Sequence, residues 1–176
     1  YCENEAQLRE RVAMLHQKTK GDVIAEQYIR GRELYVTVLG NNRLEVLPVR
    51  ELVFGKLDDT LPKMATYKVK WDREYRERWG IEYVFAHALP AKVSERLTRL
   101  CKRIYRVLDL SGYARFDLRL TNEGGLYVLE ANPNPAIASD DECALSAEKA
   151  GLSYPQFIHR IVTLGLSAHA AHTLTE

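Results

Sequence analysis

The sequence predicts an α+β fold in which a mainly antiparallel sheet is covered by helices. Two observations carry this. Strands come as hairpins, one folding back at Gly40-Asn41-Asn42 and one flanking Asn122-Glu123-Gly124-Gly125. Between them lies a long amphipathic helix, with Val93, Leu97, Leu100, Ile104 and Leu108 at three- and four-residue steps. The chain has 176 residues, 46% of them apolar, which is enough to bury a core in one domain or two small lobes.

Each element follows in order. A first helix is expected over 5–18, with Asn4 and Gln7 as a capping box, a stripe of Leu8, Val12 and Leu15, and Gly21 as its end. Val23-Ile24-Ala25 reads as a short buried strand, and Arg30-Gly31-Arg32 as a turn. Leu34, Val36 and Val38 alternate with Glu33, Tyr35 and Thr37, the pattern of a strand with one buried face. Residues 44–51 read as the returning strand. The stretch 55–80 is rich in charge, contains Pro62 and has weak periodicity; a connection so long inside a compact domain is either functional or disordered. The amphipathic helix is expected over 91–110, stopped by Gly112. The second hairpin pairs 113–120 with 126–132, and Pro133 and Pro135 end it. A helix over 141–150 is closed by Gly151, and Ser153 with Gln156 opens a last one through Phe157, Ile158, Ile161 and Leu164.

Composition excludes several functions. Twenty-five Lys+Arg against 24 Asp+Glu leave a net charge of +1, which gives no global field for nucleic acid or an anionic membrane. Arg96, Arg99, Lys102 and Arg103 are therefore taken as a solvated helix face. No apolar run reaches the ~18 residues of a membrane span, and no signal-peptide pattern opens the chain, so a cytoplasmic protein is expected. Cys2, Cys101 and Cys143 are odd in number and far apart, without zinc-type spacing.

The chemistry concentrates in Ala114-Arg115-Phe116-Asp117-Leu118 and Val128-Leu129-Glu130-Ala131-Asn132. Side chains alternate along a strand, so Arg115 and Asp117 share one face. A turn centred between Glu123 and Gly124 sets Asp117 opposite Glu130 and Arg115 opposite Asn132. Two facing carboxylates repel, so a cation lies between them or one holds a proton. Two carboxylates and an amide oxygen are hard ligands, suited to Mg²⁺ or Mn²⁺, and magnesium so held completes its shell with water and phosphate. Arg115 could then bind phosphate. The alternative is an ordinary charged hairpin in which Arg115 pairs with one acid. Upstream, Glu26 ends one strand and Glu33 begins the next, so both can face a crevice that takes an adenine amine and ribose hydroxyls.

At Glu26-Gln-Tyr-Ile-Arg-Gly-Arg-Glu33, Tyr67-Lys-Val-Lys70-Trp71, Ala114-Arg-Phe-Asp117 and Leu129-Glu-Ala-Asn-Pro-Asn-Pro135 the sequence resembles the ATP-grasp superfamily, and within it the D-alanine–D-alanine ligase-like branch. Order and spacing match from about Val23 to Leu166. The resemblance implies a carboxy-terminal ATP-grasp lobe and an ATP- and Mg²⁺-dependent ligase that joins a carboxylate to an amine through an acyl phosphate. It implies that Asp117, Glu130 and Asn132 hold two magnesium ions and that Arg115 steadies the transferring phosphate. Glu26, Gln27 and Ile29 would read adenine, Glu33 the ribose, and Lys70 would reach the nucleotide phosphates from a loop that excludes water.

The same resemblance divides the chain into 1–54 (end of the amino-terminal lobe and adenine hinge), 55–82 (phosphate-covering loop) and 83–176 (metal-binding lobe). The family's glycine-rich loop and first-substrate domain are expected upstream of Leu8, so this stretch alone is expected to be inactive. Asp141 stands where dipeptide ligases place a substrate-contacting serine, which points to an amine-bearing or cationic acceptor. The partners implied are small carboxylate and amine substrates, amino acids or peptides, with neither nucleic acid nor membrane; a homodimer is allowed for the full-length protein. The other function carried forward is a non-catalytic nucleotide-binding or regulatory module of the same fold.

Overall fold

A computed structural model describes residues 1–58 and 61–172, with side chains through residue 168. Residues 59–60 and 173–176, parts of the expected segments 55–82 and 83–176, lie outside the described residues. The chain divides into two units, 1–30 and 31–176.

The first unit holds helix α1, Glu5–Thr19. Its capping pattern is a shifted box: Asn4 Oδ1 accepts from the Gln7 amide at 3.0 Å, while Gln7 Oε1 accepts from the Glu3 amide at 2.9 Å. Lys20, at φ 53°, makes the left-handed turn one residue before the expected Gly21, its amide donating to His16 O. The strand expected at Val23-Ile24-Ala25 does not form; the backbone there is irregular and Ile24 is 83% exposed. A strand requires a neighbour to take its amides and carbonyls, and none pairs with this segment among the described residues.

The second unit is built on β1 (Arg32–Leu39). It adds β2 (Glu45–Val46), β3 (Arg50–Phe54), β4 (Ile81–Phe85), β5 (Tyr113–Leu120) and β6 (Leu126–Asn132) in the order β4-β3-β1-β5-β6, with β2 also on β1. Every pairing is antiparallel. The single return strand expected over 44–51 is interrupted. Val38 faces Val46 but Leu34 faces Glu51, so the register steps by one residue across Leu47–Val49, where Pro48 has no amide to donate.

The segment expected as a long connection, functional or disordered, carries two short helices, α2 (Tyr67–Trp71) and α3 (Arg73–Trp79), capped by Thr66 and Asp72. Strand β4 follows the left-handed Gly80. Helix α4 spans Ala91–Val107 and ends earlier than expected, because Leu108 caps it and Asp109 turns left-handed at φ 51° ahead of Gly112. Helices α5 (Glu142–Lys149) and α6 (Tyr154–His172) complete the fold. No helix among the described residues is long and apolar enough to cross a membrane.

Alternation along β1 sorts the core into two faces. Leu34, Val36 and Val38 join Ala114, Phe116 and Leu118 against Leu97, Cys101 and Tyr105 of α4, and each buried Leu, Val or Phe side chain contributes about 1.5–3 kcal/mol. On the other face Tyr35, Leu52 and Ile81 pack with Val69 of α2, while Leu39 and Leu47 pack with Cys143, Ala144 and Ala147 of α5 and Phe157 of α6. Polar side chains of the central strands occupy the same face.

Candidate active site

The hairpin of β5 and β6 sets the geometry. The loop 121–125 is five residues long, so Leu120 faces Leu126 and Leu118 faces Val128. Leu129 is then an extra residue, and the register shifts to bring Asp117 opposite Glu130 and Arg115 opposite Asn132. The expected pairing is met, but by a bulge rather than by a symmetric turn. Facing residues of an antiparallel sheet share a face. One row across it therefore reads Phe85, Arg50, Tyr35, Asp117, Glu130. The rows beside it read Thr37, Arg115, Asn132 and Tyr83, Leu52, Glu33, Arg119, Tyr127.

Arg115 grips Asp117 in a two-point ion pair, Nε to Oδ1 at 2.7 Å and Nη2 to Oδ2 at 3.0 Å. Its Nη1 lies 3.9 Å from Glu142 Oε2. Burial opposes the charge on Arg115, yet the hydrogen bond and charge of Asp117, with Glu142 behind them, hold the guanidinium above its ordinary pKa. Burial pushes the Asp117 carboxyl up; Arg115 pulls it down, and Glu130 and Glu33 push it up again. The net direction is upward, burial outweighing the pull of Arg115.

Asp117 is buried and Glu130 exposed. Asn132 Oδ1 accepts from the Asn134 amide at 2.9 Å, and Asn134 Oδ1 accepts from the Tyr113 hydroxyl at 2.8 Å, which ties the strand end to its exit loop. Two carboxylates and one amide form an oxygen donor set of the kind that suits a hard divalent cation. Among the described residues no group of three or more His, Cys, Asp and Glu gathers into a metal cluster.

Glu33 is drawn into the sheet. Its Oε1 accepts from Tyr35 Oη at 2.6 Å and its Oε2 from Arg119 Nη2 at 2.8 Å. Arg119 also donates to Gly31 O at 2.9 Å and Lys63 O at 2.6 Å, fastening the stretch before α2 to the sheet. Lys70 is exposed on α2, whose Val69 packs in the cluster containing Tyr35. Asp141 precedes α5, and its Oδ2 accepts from the Ala138 amide at 3.0 Å. Glu26 and Gln27 are exposed and Ile29 is half-buried, all in the irregular end of the first unit. The structure thus gathers Asp117, Glu130, Asn132, Arg115 and Glu33 on one sheet face, and describes Glu26, Gln27 and Ile29 separately.

Sequence reasoning missed Arg50, Arg119 and Glu142 on this face. Arg119 was legible two residues beyond Asp117 on the same strand. Arg50 needed the step in register at Pro48, and Glu142 needed the packing of α5.

The family described as "D-ala D-ala ligase C-terminus" matches residues 1–163. The uncharacterized protein y4sG of Sinorhizobium fredii is 34% identical over 161 residues, covering 89% of this chain and 45% of that protein. The D-alanine–D-alanine ligase of Desulfotalea psychrophila is 33% identical over 147 residues, covering 83% and 42%. The chain thus spans less than half the length of these relatives. Among solved structures, the Bacillus anthracis D-alanine–D-alanine ligase complexed with ATP has a TM-score of 0.71 at 22% identity over 93% of this chain and 48% of that one. The Coxiella burnetii enzyme has a TM-score of 0.74 at 17% identity over 99% and 42%. At these identities the structures support the fold.

Proposed function

Since the chain belongs to the family of D-alanine–D-alanine ligase carboxy-terminal domains, we propose that it supplies the metal- and phosphate-handling face of an ATP-dependent carboxylate–amine ligase acting in the cytoplasm. The observation that carries this is the register of β5 and β6, which puts Asp117, Glu130, Asn132 and Arg115 on one face. In this reading Asp117, Glu130 and Asn132 hold Mg²⁺ or Mn²⁺, which supplies charge neutralisation for the nucleotide phosphates.

The reaction proceeds in two balanced steps. A carboxylate oxygen attacks the γ-phosphorus of ATP, the bond to the bridging β–γ oxygen breaks, and ADP leaves. An amine nitrogen then attacks the acyl carbon, the carbon–oxygen bond to phosphate breaks, and the nitrogen gives up a proton. Arg115, oriented by Asp117, is placed to follow negative charge on the transferred phosphoryl group, since such a transfer depends on positioning and electrostatics. Lys70 on α2 reaches the phosphates, and residues 55–82 keep water from the acyl phosphate. Glu26, Gln27 and Ile29 read adenine. Glu33 serves the ribose when nucleotide binding draws it away from Arg119. Asp141 faces the acceptor, the substrates are amino acids or peptides, and the full-length protein pairs as a homodimer. Residues 1–54, 55–82 and 83–176 act as hinge lobe, cover and metal lobe.

The test is ADP release by the longest natural polypeptide containing this chain, supplied with Mg-ATP and amino-acid pairs. Glu130→Gln is expected to lower kcat about 10²-fold or more. ATP binding with no turnover for any amino-acid pair would replace this reading with the non-catalytic one.

A further inference from the structure

Glu33 and Arg119 face each other across β1 and β5. The acid proposed for the ribose is shut inside the sheet: Glu33 is 5% exposed, with Oε1 accepting from Tyr35 Oη at 2.6 Å and Oε2 from Arg119 Nη2 at 2.8 Å. A sugar hydroxyl has no approach to a carboxylate so covered. The same Nη2 donates to Lys63 O at 2.6 Å, while Nη1 donates to Gly31 O at 2.9 Å. A single nitrogen of Arg119 therefore covers the carboxylate and fastens the stretch before α2.

The two backbone anchors of the guanidinium differ. Gly31, at φ 149°, lies so close to β5 that a Cβ there would collide with Leu120 O, which fixes this anchor to the sheet. Residues 62–66 have no regular structure, so Lys63 is the anchor that can lift. Tyr35 Oη holds the other carboxylate oxygen and keeps Glu33 oriented while Oε2 is given up to a new donor. Taking Oε2 from Arg119 breaks a buried charge-assisted hydrogen bond. A ligand that needs this opened state binds more weakly by the fraction of molecules that are open.

We propose that Arg119 is a latch on the nucleotide site. It holds Glu33 and the stretch at Lys63 shut together until ribose hydroxyls donate to Glu33 in its place, and it thereby lowers the protein's own affinity for nucleotide. The inference rests on the ligase reading, with Glu33 as its ribose acid, and adds how that site is regulated.

The experiment is isothermal titration of the longest natural polypeptide containing this chain. The probes are Mg-ATP and Mg-2′,3′-dideoxy-ATP, which lacks the hydroxyls that Glu33 would accept. Arg119→Met is expected to tighten ATP about tenfold, the worth of one hydrogen bond to a charged group, and to leave dideoxy-ATP within about threefold of the wild type. In R119M/E33Q the gain should vanish, because the freed carboxylate is its source. A damaged fold would weaken both nucleotides, so a gain confined to ATP separates the latch from a structural role. Should R119M fail to fold, R119K decides the matter: lysine keeps the charge and loses the fork, so ATP should tighten about threefold. Unchanged or weaker ATP binding in the folded variant, a gain shared by dideoxy-ATP, or a gain that survives E33Q would overturn the inference alone. Failure of the wild type to bind Mg-ATP would remove the ligase reading and this inference with it.

Discussion

Replacing Arg119 with methionine tests how the sheet face is held. Arg119 and Glu33 form an ion pair at 2.8 Å with side chains only 4% and 5% exposed. The methionine keeps the aliphatic stem but leaves Glu33 with Tyr35 Oη as its hydrogen-bond partner, and Gly31 O and Lys63 O without the guanidinium. Removing one member of a buried pair costs about 3–5 kcal/mol, because the remaining charge stays desolvated. For a chain of this size each kcal/mol lowers Tm by about 2–4 °C, so a fall of about 6–20 °C is expected. The double variant R119M/E33Q removes both charges and should recover most of the loss, leaving a coupling energy of about 2–3 kcal/mol in a double-mutant cycle. Urea and thermal denaturation of the four proteins measure it. If R119M lost less than about 0.5 kcal/mol, or the two changes were additive, the pair would not be the joint between sheet and covering segment.

Three other outcomes follow. Burial pushes the thiols of Cys143 to about 11 and Cys101 to about 12, so at pH 8 a thiol reagent should modify Cys2 alone, and all three in urea. These raised values, with Tyr105 at about 12, contribute stability that is intact below the ordinary thiol pKa of 9.0 and lost as pH climbs through 11–12; chemical denaturation across that window should show the decline. Gly31→Ala should cost more than 2 kcal/mol by urea titration, since φ is 149° and a Cβ would collide with Leu120 O.

Local rules made most of the second unit legible. β5, β6, α4, α5 and α6 follow from alternation, helical stripes and caps, because those segments carry partners close in sequence or punctuation of their own. The facing of Asp117 and Glu130 was also legible, although the bulge at Leu129, not the turn, secures it. Strand β4 went unseen even though Ile81-Glu-Tyr-Val-Phe85 is rich in aromatic and branched residues after Gly80; the charged stretch before it masked the change of pattern. Val23–Ala25 has strand composition but no pairing neighbour among the described residues, a fact that no local pattern contains. The same limit hid the ion pair of Glu33 with Arg119, whereas a pairing of Arg115 with one acid was already among the readings of the hairpin. Composition shows which charges exist, while register and helix packing decide which of them meet.

Asp117, Glu130 and Asn132 are proposed to hold a divalent cation against nucleotide phosphates. Isothermal titration of ATP into the full-length polypeptide, with and without Mg²⁺, in the wild type and in Glu130→Gln, tests it most directly. Binding is expected to require magnesium and to weaken at least tenfold in the variant. Magnesium-independent binding, or equal affinity in both proteins, would contradict it.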